Sequence, residues 1–252
     1  MNKKIFLAIM FSWVVFASAQ QKPTMEMKPE MTEIWEPEVR IINPGQKYGD
    51  APSDAIVLFD GTNLEKEWVS ERGGGKPGWK VEGGAMTVVP RTGGIKTKRE
   101  FENFQLHIEW RSPSEVKGES QGRGNSGVFL QGIYEVQVLD NFNNRTYHNG
   151  QAGSIYKQHP PMVNACKAPG EWQTYDIIYT APLFKADGTY LVPPKITVLH
   201  NGVVIQNAAE VRGPTVYIGV PEYFVAPHGK GPISLQDHGD LVSFRNIWIR
   251  EL

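Results

Sequence analysis

Two acids and an amide interrupt the otherwise apolar run Tyr134-Glu-Val-Gln-Val-Leu-Asp140. In a strand, alternation sends Glu135 and Gln137 to one face and Tyr134, Val136 and Val138 to the other. One face is then core and the other a polar sheet surface. A bulge after Val138 would swing Asp140 towards Glu135. Two carboxyl groups and an amide on one patch suit a carbohydrate site.

Three further segments carry reactive side chains. Phe104-Gln-Leu-His-Ile-Glu-Trp-Arg111 alternates in the same way, with Leu106, Ile108 and Trp110 on the core side and His107, Glu109 and Arg111 opposite. On the residues alone this polar face is either a site or a solvated surface, with Glu109 paired to Arg111 or to a neighbouring strand. Asp237, His238 and Asp240 cluster in Leu235-Gln-Asp-His-Gly-Asp240, as an acid/base pair or as half of a metal site. His238 with Glu135 or Glu109 from across the sheet would hold a first-row divalent ion better than calcium. In Gly153-Ser-Ile-Tyr-Lys-Gln158, Tyr156 is placed to bind a sugar and Lys157 to stabilise an oxyanion, unless the segment is an ordinary edge strand. Cys166, the single cysteine, has no evident Cys-His arrangement and can form no disulfide within the chain.

The elements that must position these groups are short β runs from Ala55 onwards, broken by Gly, Pro and Asn clusters. Strands are expected near 54–59, 78–83, 85–89, 95–97, 103–112, 126–131, 134–139, 172–180, 195–200, 203–207, 215–220, 232–236 and 241–251. Asn201-Gly202 marks a tight hairpin between two of them. Helix should be scarce. The pattern predicts an all-β, two-sheet β-sandwich jelly roll over residues 53–252. Residues 20–52 hold five Pro and no sustained period, and read as an extended arm carrying an isolated Trp35.

Lys3 and Lys4, the apolar run Ile5 to Phe16 and Ala17-Ser18-Ala19 form a signal peptide over residues 1–19, which predicts a periplasmic or extracellular protein. No other run is long enough to insert the mature chain in a membrane. The 26 basic and 27 acidic residues give a net charge of −1, and no basic stripe points to nucleic acid. The Gly-rich stretches lack a phosphate-loop lysine, so no nucleotide or other organic cofactor is expected. The expected partner is a small carbohydrate.

Ser53 to Leu64 with Trp68, Trp79 to Met86, Asn125 to Val128, Tyr134 to Asp140 and Phe244 to Ile249 occur in an order that resembles the 3-keto-disaccharide hydrolase family, over about Ser53 to Leu252. The resemblance implies the concanavalin A-like lectin/glucanase jelly roll. It also implies a substrate whose glucose unit carries a ketone at C3. Such a ketone acidifies the C2 proton, so a base can form an enolate that expels the C1 oxygen by β-elimination, and added water completes a net hydrolysis. On this footing Glu135 or His238 is the expected base. Asp237, Gln137, Arg111 and a divalent metal are expected near the keto oxygen, Tyr156 as binder or acid, and Glu109, Asp140 and Lys157 as further substrate contacts.

Glu135, Gln137 and Asp140 also have the Glu-x-Asp-x-x-Glu spacing of laminarinase-type glucanases, with Gln in the middle. That amide argues against a plain endoglucanase, which needs a pair of carboxyl groups. The rival reading is a non-catalytic secreted carbohydrate-binding module, since the fold hosts lectins too.

Overall fold

The computed structural model describes residues 26–220 and 225–252. The expected signal peptide lies outside the described residues. Among the described residues the strands are β1 (Ile56–Phe59), β2 (Trp68–Ser70), β3 (Lys80–Glu82), β4 (Ala85–Thr87), β5 (Ile95–Thr97), β6 (Phe104–Arg111), β7 (Ser126–Leu130), β8 (Tyr134–Val138), β9 (Gln173–Thr180), β10 (Leu183–Phe184), β11 (Tyr190–Val192), β12 (Lys195–His200), β13 (Val203–Glu210), β14 (Ser234–Leu235) and β15 (Ser243–Glu251). Among the described residues helix is confined to single 3-10 turns, and none of these helices is long and apolar enough to cross a membrane.

The strands build a two-sheet jelly roll. The larger sheet runs β13-β12-β9-β6-β15-β4-β3, with β1 also on β15, and the smaller runs β2-β5-β14-β7-β8. Alternation sorts the faces as expected: Phe104, Leu106, Ile108 and Trp110 of β6 and Tyr134, Val136 and Val138 of β8 are all buried in one core between the sheets. Buried tyrosines lock the two layers through their hydroxyls, which need partners inside. Tyr175 of β9 donates to Gln137 O (2.8 Å), and Tyr179 to Gln131 Oε1 (2.7 Å). The Asn201-Gly202 hairpin forms, with both residues at positive φ (52° and 80°), as a type I′ turn requires, and His200 facing Val203.

Three features differ from expectation. The short β2 and the β10-β11 ribbon carry too few residues to show a period. Residues 215–220 form no strand. Gly213-Pro214 leads into the segment and Gly219 sits at φ 125°. Thr215 N reaches Ile133 O at 3.4 Å, but Tyr217, Ile218 and Val220 stay exposed and bury no face that would reward pairing.

Residues 26–41 are a unit apart from the domain and hold one 3-10 turn (Pro29–Met31), with the Trp35 ring N–H donating to Glu33 Oε2 at 3.3 Å. The second compact unit runs from Ile42 to Leu252. A strap from Asn43 to Asp54 closes on itself through Ser53 N to Asn43 O (2.9 Å) and lies on the outer face of the larger sheet. There Gly49 O accepts from Asn246 Nδ2 (2.9 Å) and Trp248 Nε1 (3.0 Å), and the Tyr48 hydroxyl donates to Asp176.

Candidate active site

Strand β8 is the edge of the smaller sheet, and its outward side chains make the site. Beside it on β7, Gly127 lies opposite Gln137 and Phe129 opposite Glu135. The free edge is covered by residues 153–156: Gln137 N donates to Ser154 O (3.0 Å) and Tyr156 N to Glu135 O (3.1 Å), which sets Tyr156 next to Glu135. The resulting pocket, of about 190 Å³, is lined by Asn125, Phe129, Glu135, Gln137, Tyr156, Thr215, Tyr217, Gln236 and His238.

Glu135 is 5% exposed, and burial pushes its carboxyl up to about 8. A carboxylate buried against Phe129 loses hydration that a charged form needs. Its space is reserved by Gly127, where a Cβ would stand 2.3 Å from Glu135 Oε1. The Gln137 amide answers either protonation state. Turned one way, its nitrogen donates to Glu135 Oε1 (3.0 Å) and Ser126 O (3.1 Å). Turned over, it donates to Gln121 Oε1 (3.1 Å) and offers its oxygen to a protonated Glu135.

The Tyr156 hydroxyl bonds the Tyr147 hydroxyl at 2.8 Å, and burial, then this bond, raise the Tyr156 pKa above its ordinary value. Burial keeps Tyr156 a phenol, and with Tyr147 as donor of the 2.8 Å bond the single Tyr156 proton is free for a ligand. Lys157, at φ 63°, holds its ammonium 4.5 Å from the Tyr147 ring centroid and 5.5 Å from that of Tyr217. It braces this aromatic wall by cation–π contact and is not among the residues lining the pocket. Gln236 Oε1 is buried with no hydrogen-bond partner among the described residues, an acceptor suited to a sugar hydroxyl.

Of the nine residues expected at a site, the pocket gathers Glu135, Gln137, Tyr156 and His238. Asp237 supports the turn that carries His238, its carboxylate accepting from Gly93 N (2.9 Å) and Gly239 N (3.0 Å). Asp140 is not swung to Glu135. It is buried against Arg123, which donates to it at 2.7 Å, and it accepts from Phe142 N at 3.1 Å.

Glu109 and Arg111 do not join Glu135 on one sheet. Strand β6 lies inside the larger sheet and β8 in the smaller, so their outward faces point away from each other across the core. Glu109 is held there by Arg245 (2.6 Å) and Asn246 (2.9 Å), the neighbouring-strand pairing that the residues alone left open. Arg111 stacks on Trp172 at 4.6 Å. Burial alone would raise Glu109, but bonds from His107, Asn246 and Arg245 outweigh it and bring it down to about 2.

Asn125, Phe129, Tyr147, Thr215, Tyr217 and Gln236 were not expected at the site. Asn125, Gly127 and Phe129 share a strand face at period two, which is a readable signal. Tyr147, Thr215 and Tyr217 come from loops, where no period exists.

Glu135 and His238 are the lining residues of the kinds that commonly bind metals, and no group of three or more His, Cys, Asp or Glu suited to a metal ion occurs among the described residues. A pair is half of a tetrahedral shell. The remaining lining is amide, hydroxyl and aromatic, so these residues do not fit a metal centre built from the chain alone.

A crystal structure of a "putative glycosyl hydrolase" from Parabacteroides distasonis is 54% identical, with a TM-score of 0.86, covering 92% of this chain and 100% of that one. A second structure from that organism, under the same description, shares the fold at 22% identity and TM-score 0.58, over 84% of this chain and 100% of that one. A "3-keto-disaccharide hydrolase" of Bacteroides thetaiotaomicron is 28% identical, covering 80% of each chain. The model of the 3-keto-alpha-glucoside-1,2-lyase-like domain family matches residues 54–250, and the chain belongs to that family.

Proposed function

We propose that the chain cleaves the glycosidic bond of 3-keto-glucosides by removing the C2 proton and eliminating the C1 oxygen. The observation that carries this reading is the single carboxyl group among the lining residues, buried and raised to about 8. Ordinary glycosidases flank the bond with two carboxyl groups. A lone carboxylate poised near neutrality is instead what proton abstraction needs.

Ionised Glu135 takes the proton from C2, and the electron pair of that bond forms C2=C3 while the C3 oxygen becomes an enolate. Tyr156, held by Tyr147, donates a hydrogen bond to that oxygen. The enolate collapses to C1=C2 and the C3 ketone, and the C1–O bond breaks. The leaving oxygen takes a proton from His238, and addition of water across C1=C2 gives net hydrolysis. Gln137 steadies Glu135 in each protonation state, and Gln236 accepts from a ring hydroxyl. A lectin would need neither a poised carboxyl nor a paired tyrosine. The basic start, the apolar run Ile5 to Phe16 and Ala17-Ser18-Ala19 support export of the mature chain.

The test is turnover in deuterated water. A 3-keto-glucoside should release its aglycone and acquire deuterium at C2, while the parent glucoside, lacking an acidified C2–H, should be inert. Activity should survive a chelator, since no step uses a metal. Equal turnover of both glucosides, or retention of the original C2 proton in the product, would exclude elimination, and loss on chelation with rescue by a divalent ion would move the enolate charge to a metal.

A further inference from the structure

The Glu135 pocket, at about 190 Å³, falls below the ~300–1,000 Å³ of cavities that enclose a drug-sized ligand. A glycoside that places its keto sugar there must leave its other part outside. A second hollow, of about 300 Å³, lies directly across the turn that carries His238.

The same two segments wall both spaces. Asn125 and His238 face the Glu135 pocket, whereas Gly124, Gly239 and Asp240 face the hollow. Asn125 N donates to Asp240 Oδ2 at 2.8 Å and ties the two segments into one partition. The partition is bare at Gly239. Its φ of 96° suits glycine, and a Cβ there would meet no heavy atom within 4 Å, so the turn presents open space at this position.

The hollow has the chemistry of a ring-binding site. Pro113, Val116 and Leu241 supply apolar surface. Arg123 supplies a donor fixed in place, its side chain only 14% exposed and bonded to Asp140 (2.7 Å) and Phe142 O (2.9 Å). A guanidinium held in this way is pre-organised to meet a hydroxyl with little loss of side-chain freedom.

We infer that this hollow is the aglycone subsite. It takes a ring with an apolar face and hydroxyls on its edge, a pyranose or a phenol, with the glycosidic oxygen crossing at Gly239 within reach of the turn that bears His238. The inference rests on the reading of the Glu135 pocket as the keto-sugar site. It also gives the Arg123–Asp140 pair a task beyond bracing a loop.

Val116 is about half exposed, so Val116→Trp fills the hollow without entering the core. For this variant the kcat/KM ratio of a 3-keto-disaccharide to methyl 3-keto-glucoside should fall by about tenfold or more, mainly through KM. Leu241→Trp, from the 239–241 segment of the lining, should do the same. A 3-keto phenolic glucoside run in parallel distinguishes the rings, since the affected substrate names the aglycone that sits there. An unchanged ratio in both variants would overturn the subsite. Calorimetric binding of the unoxidised disaccharide and of methyl glucoside separates this outcome from a failure of the reaction scheme. If no 3-keto substrate turns over but both variants still weaken the two-ring ligand selectively, the subsite stands and the chemistry falls. If neither binding nor turnover discriminates, the subsite falls.

Discussion

Glu135→Gln is expected to lower turnover of a 3-keto-glucoside by about 10²–10⁴-fold, the usual contribution of a positioned general base, while leaving the fold intact. The replacement keeps the volume beside Gly127 and removes only the ability to take a proton. The pH dependence makes the assignment specific. Burial raises Glu135 to about 8, and the ionised form is the base, so kcat/KM of the natural chain should climb as pH rises through about 8. The residual rate of the variant should lose that limb. Stability moves the other way. A carboxyl raised from 4.5 to about 8 in the folded state contributes stability that is complete below about 4.5 and is lost as pH rises through 8. Glu135→Gln carries no charge to bury, so above pH 8 it should melt at a higher temperature than the natural chain. A variant with full turnover, or one that keeps the alkaline limb, would remove Glu135 from the role of base.

The outward face of β8 was legible because alternation is a local property: Tyr134, Val136 and Val138 need a core, and Glu135 and Gln137 must then face the other way. The same rule sorted β6 correctly, with Leu106, Ile108 and Trp110 inside. It could not say that β6 and β8 belong to different sheets, because sheet membership is set by pairings between distant segments, such as β6 with β9 and β15. Glu109, expected among the substrate contacts, therefore lies on the far side of the core from Glu135. Asp140 failed for a related reason. Its direction is fixed by Arg123 across a loop, and no spacing encodes that partner. His238 and Tyr156 were readable as reactive residues, yet their meeting with Glu135 depends on how the 236–241 turn and residues 153–156 lie against β7 and β8. Tyr217 was read as part of a strand, and it reaches the pocket because that strand does not form.

Asp176→Ala tests the separation of the two faces. On the outer face of the larger sheet, His107 is fully buried and bonds Asp176 at 2.7 Å, while Tyr48 of the strap donates to the same carboxylate. Trp248 stacks on the His107 ring at 5.2 Å. Burial alone would lower His107, but bonds to Asp176 and Glu109 outweigh it and bring it up to about 9. The ring is therefore a buried cation, and removing its closest counter-charge should cost about 3 kcal/mol or more. For a domain of this size that is a fall of about 6–12 °C in Tm. The sign with pH follows from the same shifts. The His107 contribution is complete below about 6.5 and is lost as pH rises through about 9. That of Glu109 is present above 4.5 and is lost as pH falls through about 2. In the variant the alkaline loss should begin at lower pH, because the bond that most raises His107 is gone. Below the melting range, kcat/KM for the 3-keto substrate should stay within about twofold, since no group on this face touches the Glu135 pocket. A folded variant with turnover reduced a hundredfold would return His107, Glu109 and Asp176 to the chemistry. A variant of unchanged Tm would instead show that the strap is held by its backbone contacts at Gly49, and that the ion pair beneath it adds nothing measurable.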